Sequence, residues 1–378
     1  MKIDNTNISI NELLSSNKFI SLFISSIFLL FFSLIRTIFK AFNNIDGTIT
    51  VVSLHRLGDT IFTIPAIREI QKHYGRKISI VCFPESVPIY NQVFFNVDFC
   101  VLEHDAFYLN GRIAGGNARR KLKSLKPSII FDLTGLMTSA SLIFSSKART
   151  IIGSNANKLK GIYDKFVDFR KSPQLIDIYL DAISPVIKFS DRSELKKRPK
   201  TFNPSGRIHI QPFAGWKEKE WNLKNFLSLA EKIKIDYNIS LIIHEGQIGR
   251  DVLEEIEKLN IDIVQTSSVA ELIDLIKRCS LFIGNDSGPV NIANYLGIPT
   301  LTIYGSTNPD YTATEAIHQI YVQETLNCSA KKDEKFCIIG LATYKCSGTQ
   351  CMNMLSIEKV YERLIPLMGQ YCERINLV

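Results

Sequence analysis

The sequence predicts an α/β protein of two doubly wound, Rossmann-like domains facing a cleft, preceded by an apolar helix. Three observations lead there. Apolar, β-branched runs alternate with helix-period segments along most of the 378 residues, the rhythm of parallel strands buried on both faces and joined by helices. That rhythm breaks between about Lys188 and Gly206, in a polar, basic stretch with two prolines that reads as a linker. The length also suits two domains better than one. The expected division is an N-terminal segment over 1–46, a first domain over 47–190, a linker over 191–206 and a second domain over 207–378.

The N-terminal segment contains 17 uncharged residues, Phe19 to Ile35, between Lys18 and Arg36. As a helix they cover about 25 Å, slightly less than a hydrocarbon core of about 30 Å. Lys18, Ser21, Ser25, Arg36 and Lys40 fall near one side of such a helix, which also suits a helix lying in a lipid interface. No small-x-small cleavage site follows, so a signal peptide fits poorly. A membrane anchor, an interfacial helix and a segment packed on the protein's own core remain open. The positive flank of Arg36 and Lys40 predicts that the rest of the chain stays on the cytoplasmic side.

A composition of 46% hydrophobic and 22% charged residues is that of a globular protein. The net charge of +8 favours anionic partners, including lipid surfaces. The basic runs Ala118 to Lys126 and Ser193 to Lys200 lack interleaved aromatics, so nucleic acid is not an expected partner. Of eight cysteines, Cys328, Cys337, Cys346 and Cys351 cluster without a CxxC pair, and no zinc ribbon is expected. Cys82, Cys100 and Cys279 read as small core residues in a reducing compartment.

In chain order, Thr48 to Leu54 is the first strand. A helix from Ile61 to Tyr74 follows, with Ile61, Ile64, Ile67 and Ile70 on one face. Pro65 sits in its first turn or bends a helix that began earlier. Lys77 to Phe83 and Ser128 to Leu133 are further strands. The second domain reads as strands at Arg207 to Pro212, Ser240 to Gly246, Asp262 to Gln265, Ser280 to Asn285 and Pro299 to Gly305. Helices near Leu223 to Lys234, from Arg250, at Val269 to Arg278 and at Pro289 to Leu296 separate them.

In such sheets ligands bind beyond the carboxyl ends of strands, here in a cleft between domains. Four loops there carry candidate chemistry. After the first strand come Arg56, Gly58 and Asp59: the glycine lets a substrate approach, and Asp59 is a base or a helix cap. The absence of GxGxxG argues against a dinucleotide oxidoreductase. In Gln211 to Phe226, Lys217 and Lys219 can neutralise phosphate, while Trp216 and Trp221 pack on a ligand ring or on the next helix. His244 to Gly249 brings Glu245. In Ile283 to Pro309, Ser287 or Gly288 stands as an N-cap and Pro289 as the first helical residue, behind Asp286. Free amides at that helix start suit a diphosphate.

The stretches RLGDTIFTIPAIREI and GNDSGPVNIANYLGIPTLTIYGSTNP resemble the two signature regions of glycosyltransferase family 9, the heptosyltransferases. GWKEKEWNLKNF resembles the family's phosphate-contacting lysine segment, and CMNMLSIEKV its C-terminal end. The resemblance implies a GT-B fold, with the acceptor on the N-terminal domain and a nucleotide-sugar donor on the C-terminal one. It implies inverting transfer that uses neither metal nor cofactor. It makes Asp59 the general base and puts Lys219 on the diphosphate, Asp286 on the donor sugar, Ser287 and Gly288 amides on phosphate and Glu245 near the nucleoside. Arg56, Gly58, Pro289 and Asn291 complete the expected binding set. Asn291 stands where the family commonly has His, and the apolar N-terminal segment is not part of the usual enzyme. The expected activity is transfer of heptose or a related sugar, first of all from ADP-heptose, to a lipopolysaccharide core or another lipid-linked or surface glycan. The expected location is the cytoplasmic face of the inner membrane, anchored or peripheral. A GT-B-like sugar-nucleotide epimerase and a non-catalytic nucleotide-sugar or glycan-binding protein are the alternatives.

Overall fold

The computed structural model describes residues 26–27, 29–42, 46–107, 113–154, 161–168, 170, 174–189, 191–313, 316–332, 334–337 and 349–375. Two six-stranded sheets dominate it. The first holds β1 (Thr48–Val52), β2 (Ile78–Cys82), β3 (Val97–Val101), β4 (Pro127–Asp132), β5 (Thr150–Ser154) and β6 (Lys165–Val167), in the order β3-β2-β1-β4-β5-β6. The second holds β7 (Ile208–Gln211), β8 (Ile239–His244), β9 (Asp262–Thr266), β10 (Leu281–Asn285), β11 (Thr300–Tyr304) and β12 (Gln319–Gln323), in the order β12-β11-β10-β7-β8-β9. Every ladder is parallel.

The two orders are the same path walked twice. In each sheet the fourth strand returns beside the first, so the chain reverses direction across the sheet between β1 and β4 and between β7 and β10. That reversal leaves a crevice beyond the strand ends, and it explains why the loops after β1, β7 and β10 matter most. β1, β2, β10 and β11 are buried almost throughout, as strands covered on both faces must be.

Helix α1 (Leu57–Tyr74) begins four residues before the position expected from its apolar period. Its N-cap is Arg56, without a side-chain cap, and Gly75 ends it in the left-handed region at φ 61. Pro65 therefore lies inside a helix that began earlier and denies an N–H to the turn before it. Asp59 stands in the first turn, so it is not the cap.

On one face of the first sheet α1 and α2 (Leu175–Ile183) build a core that continues into the second domain through Val290, Ile292 and Ala293. On the other face a separate core joins Val52, Val81, Ile130 and Ile151 to α3 (Gly116–Ser124) and α4 (Met137–Ile143). Trp221, Phe226, Leu241 and Leu364 belong to the second domain's own core. The linker region contributes a short helix, Arg192–Lys196.

The residues from 29 to 40 are helical and pack on the first domain. Phe32 is buried against Phe144, with ring centroids 4.3 Å apart. Arg36, read from sequence as a flanking charge, is buried and its Nη2 donates to Asp164 Oδ2 at 2.8 Å. Lys40 pairs with the same carboxylate. Burial raises the Asp164 carboxyl, but these donors and the Ile151 amide outweigh it and hold it below the usual range. Ser33 and Arg36 thus face protein, while Thr37 and Lys40 remain exposed. Among the described residues no helix is long and apolar enough to cross a membrane; residues 1–25 and 28, part of the expected apolar run, lie outside them.

Candidate active site

Two helix starts meet at the floor of the cleft. α1 brings Leu57 and Gly58 against α5 (Gly288–Leu296), which follows β10. A Cβ on Gly288 would stand 2.7 Å from Leu57 Cδ2, and one on Gly58 would stand 3.2 Å from Asn291 Nδ2. At Gly288 a side chain would force Leu57 to move, and at Gly58 it would press on Asn291. Unpaired amides and the positive ends of two helix dipoles converge there, a setting for an anion such as a diphosphate.

Ser287 is the N-cap of α5 by backbone geometry, with Gly288 first and Pro289 second in the helix, one place later than the sequence suggests. The Ser287 side chain makes no cap bond. Its Oγ, Asn291 Oδ1 and Gln211 Oε1 are buried and have no hydrogen-bond partner among the described residues. Such groups cost free energy unless something else bonds them, and all three stand at or past the carboxyl ends of β7 and β10.

Asp286 is 2% exposed. Its Oδ2 accepts from Lys219 Nζ at 2.7 Å and from Thr307 Oγ1 at 2.7 Å, and its Oδ1 accepts from Thr312 Oγ1 at 3.4 Å. Lys219 is therefore already held by the carboxylate rather than standing apart for a phosphate. Its ammonium lies 5.4 Å from the Trp216 ring centroid and 5.9 Å from that of Phe336. Trp216 is largely exposed beside them, while Trp221 is core: its Nε1 donates to Leu355 O and its ring meets Phe226 edge-on. Asn222 caps the helix Leu223–Ile233 as its type suggests. Lys217 instead borders a cavity of about 430 Å³ with Pro212, Trp221 and Asn353.

Across the cleft, the Asp59 side chain is 40% exposed, and Lys335 Nζ from the second domain approaches its Oδ1 to 3.9 Å. Behind it stands His55, whose ring meets Tyr179 edge-on at 5.0 Å. Its Nδ1 lies 3.5 Å from the Tyr179 hydroxyl, and its Nε2 is buried with no partner among the described residues. Burial pushes its pKa down to about 4, against the opposing pull of Asp59, so the ring is neutral at pH 7. Arg56 is exposed at the same rim. Glu245 is exposed in the turn after β8, its amide donating to Thr266 O at 2.9 Å. Because β8 lies one strand outward from β7, Glu245 stands away from the Asp59 carboxylate.

Lys335, Phe336 and the loop after β4 are absent from the sequence reading. Lys335 and Phe336 sit in a charged run between Cys328 and Cys337 with no helical or strand period to flag them. After β4, Asp132 is fully buried and accepts from the Thr134 and Gly135 amides, Ser139 Oγ and Tyr163 OH. It shapes that loop and has no spare lone pair facing the cleft. Cys82, Cys100 and Cys279 are buried, as core residues should be. Cys346 lies outside the described residues.

Residues 117–339 match the family model described as glycosyltransferase family 9 (heptosyltransferase). The chain is 27% identical over 214 residues to lipopolysaccharide heptosyltransferase 1 of Campylobacter coli; the match covers 48% of this chain and spans 62% of that relative's length. It is 24% identical over 267 residues to lipooligosaccharide heptosyltransferase 2 of Campylobacter jejuni, covering 66% of this chain and 79% of the relative. The family 9 glycosyltransferase structure from Veillonella parvula superposes with a TM-score of 0.62 at 18% identity, covering 86% of this chain and 98% of that one. The Escherichia coli heptosyltransferase WaaC with ADP gives 0.60 at 15% identity, covering 86% and 99%. These structures share the paired parallel-sheet fold. The family match extends over more than half of the sequence, and the chain belongs to glycosyltransferase family 9.

Proposed function

We propose that the protein transfers heptose or a related sugar from a nucleotide-sugar donor, ADP-heptose first, to a lipopolysaccharide core or another surface glycan. The observation that carries the reading is the meeting of the Asp59 helix start with the Asp286 helix start, beside Lys219. One wall offers a carboxylate open to a hydroxyl; the other offers cations and amides. In the proposed reaction Asp59 takes the proton from the acceptor hydroxyl. That oxygen attacks the anomeric carbon from the face opposite the nucleotide, and the bond from that carbon to the phosphate oxygen breaks. The nucleoside diphosphate leaves with the electron pair, and the anomeric configuration inverts.

Lys219 and the amides of Ser287 and Gly288 stabilise the developing charge, the task a metal performs in other glycosyltransferases, so no metal or cofactor is invoked. For Lys219 to do so, a bound diphosphate must share or replace the Asp286 carboxylate as its partner. Asp286 then turns to the donor sugar, Asn291 and Pro289 line the phosphate side, Glu245 lies toward the nucleoside, and Arg56 with Gly58 receives the acceptor. The names of the relatives supply the heptose and the lipopolysaccharide. The protein works, on this reading, at the cytoplasmic face of the inner membrane. Mass-resolved product analysis with ADP-, GDP- and UDP-sugars tests it: a sugar-sized mass gain on the acceptor is expected, and no transfer from any donor would favour a binding protein.

A further inference from the structure

The N-terminal helix is amphipathic in the wrong sense for water. Its inward side holds Phe32 and Leu29 but also Ser33 and the buried Arg36. Its outward stripe is Ile27, Leu30, Phe31, Leu34, Ile38 and Phe42, at helical spacing along one face, with Leu30 73% and Leu34 65% exposed. A helix between protein and water turns its apolar stripe inward. This one presents a continuous apolar patch outward, of the kind that marks an interaction surface.

The fringe of the patch is cationic. Lys123 Nζ lies 5.1 Å from the Phe39 ring centroid and Lys147 Nζ 6.0 Å from that of Phe42. Neighbouring α3 carries Arg119, Arg120, Lys121 and Lys123 and no acidic residue. The nearby carboxylate of Asp164 is already taken by Arg36 and Lys40. We propose that this face lies flat in an anionic lipid surface, with the apolar stripe at the acyl boundary and the lysines level with lipid phosphates.

A second copy of the chain fits the patch poorly, because a two-fold contact would set the same basic fringe against itself. The inference rests on the membrane placement proposed above and gives it a surface and an orientation. The helix covers the sheet face opposite the one bearing α1, so docking leaves the cleft free.

Flotation of the full-length protein with vesicles tests this. Wild type is expected to float with phosphatidylethanolamine–phosphatidylglycerol vesicles and less with phosphatidylcholine. The triple variant Leu30→Gln, Leu34→Gln, Ile38→Gln should bind the former about tenfold more weakly or worse. Its melting temperature and its sugar transfer to a water-soluble acceptor fragment should stay unchanged. Lys123→Gln with Lys147→Gln should reduce the preference for phosphatidylglycerol. Undiminished flotation of the triple variant, or a wild type that ignores phosphatidylglycerol vesicles, sinks the proposal. A wild-type dimer that the triple variant turns into a monomer would hand the face to a second copy and overturn it too. A protein that floats yet transfers no sugar leaves this inference standing and removes the transferase reading.

Discussion

Asp59 and Asp286 each follow a strand at the crossover point of a six-stranded sheet, yet the protein treats them differently. Asp286 is nearly sealed and receives a lysine and two threonine hydroxyls. Asp59 is 40% exposed and faces one ammonium at 3.9 Å. A buried ion pair is held in place because separating it strands a charge in a poor solvent, so the Asp286 wall, the proposed donor side, is preorganised. A half-exposed pair at that distance contributes about 1 kcal/mol or less, so the Asp59 wall, the proposed acceptor side, is left free to exchange partners. In the proposed mechanism the group that accepts a proton on each turnover stands on the looser wall.

The largest test of the contrast is Asp59→Asn. Turnover should fall about 10³- to 10⁴-fold, the upper part of the range for losing a general base. ADP binding by calorimetry and the melting temperature should hardly change. If activity survives, the proton is taken elsewhere.

Next comes Lys219→Ala, which leaves Asp286 buried and unpaired. A loss of about 3–5 kcal/mol in urea unfolding is expected, together with loss of ADP binding. Adding Asp286→Ala should recover part of the stability but none of the binding. A stability loss below about 1 kcal/mol would mean that the donor wall is no tighter than the acceptor wall.

A smaller effect extends the comparison to pH. His55 stands at the first wall, and His209 in β7 is bonded to Ser240 Oγ at 2.7 Å. Burial lowers each pKa from 6.5 to about 4, with Arg207 adding to it at His209. Between those values the unfolded chain binds more protons, so stability is full above about pH 6.5 and declines as pH falls toward 4. Each histidine contributes about 1–3 kcal/mol across that window. His209→Asn should flatten the slope of unfolding free energy against pH; an unchanged slope would show that this ring is not kept neutral.

Smallest is Lys335→Ala. Unfolding free energy should shift by less than about 1 kcal/mol, while acceptor KM rises several-fold and donor KM does not. Equal effects on both would deny Lys335 an acceptor-side role.

Much of this architecture was legible because buried parallel strands are long apolar runs. β1, β2, β4, β7, β8, β10 and β11 announce themselves that way, while β9 shows only through its short Ile263–Val264 pair. β3, β5, β6 and β12 do not, for local reasons. β3 has exposed Asp98 as its second residue, β6 is three residues with exposed Lys165, and β12 exposes Tyr321 at the sheet edge. The start of α1 was missed because Leu57, Gly58 and Asp59 carry no apolar period; tertiary contact with α5, not propensity, winds that turn.

At the site, Asp59, Lys219 and Asp286 could be named from strand-end position and motif. Their pairings could not, since Lys219 with Asp286 spans 67 residues and Asp59 with Lys335 joins two domains. The N-terminal helix is the opposite case. Its apolar run was plain, but an intramolecular partner for Arg36, Asp164, lies 128 residues away, and sequence spacing gave no hint that Arg36 would turn inward.

The linker's fastening has a mechanical consequence. Arg192 and Lys196 are tied by ion pairs to Asp177 and Asp181 of α2, in the first domain. Beyond them, Thr201 bonds to Gly297 O and Leu296 O of the second domain, and Pro199 lies so close to Gly297 that a Cβ there would sit 1.8 Å from its carbonyl oxygen. Only Lys197 and Arg198 lie between the two moorings. Pro199 restricts the residue before it to extended geometry, and Arg198 is stacked 5.0 Å from the Tyr295 ring centroid. Within this segment, rotation of one domain against the other is thus confined almost to the dihedrals of Lys197. Stiffening that residue would slow such rotation without touching a single group in the cleft.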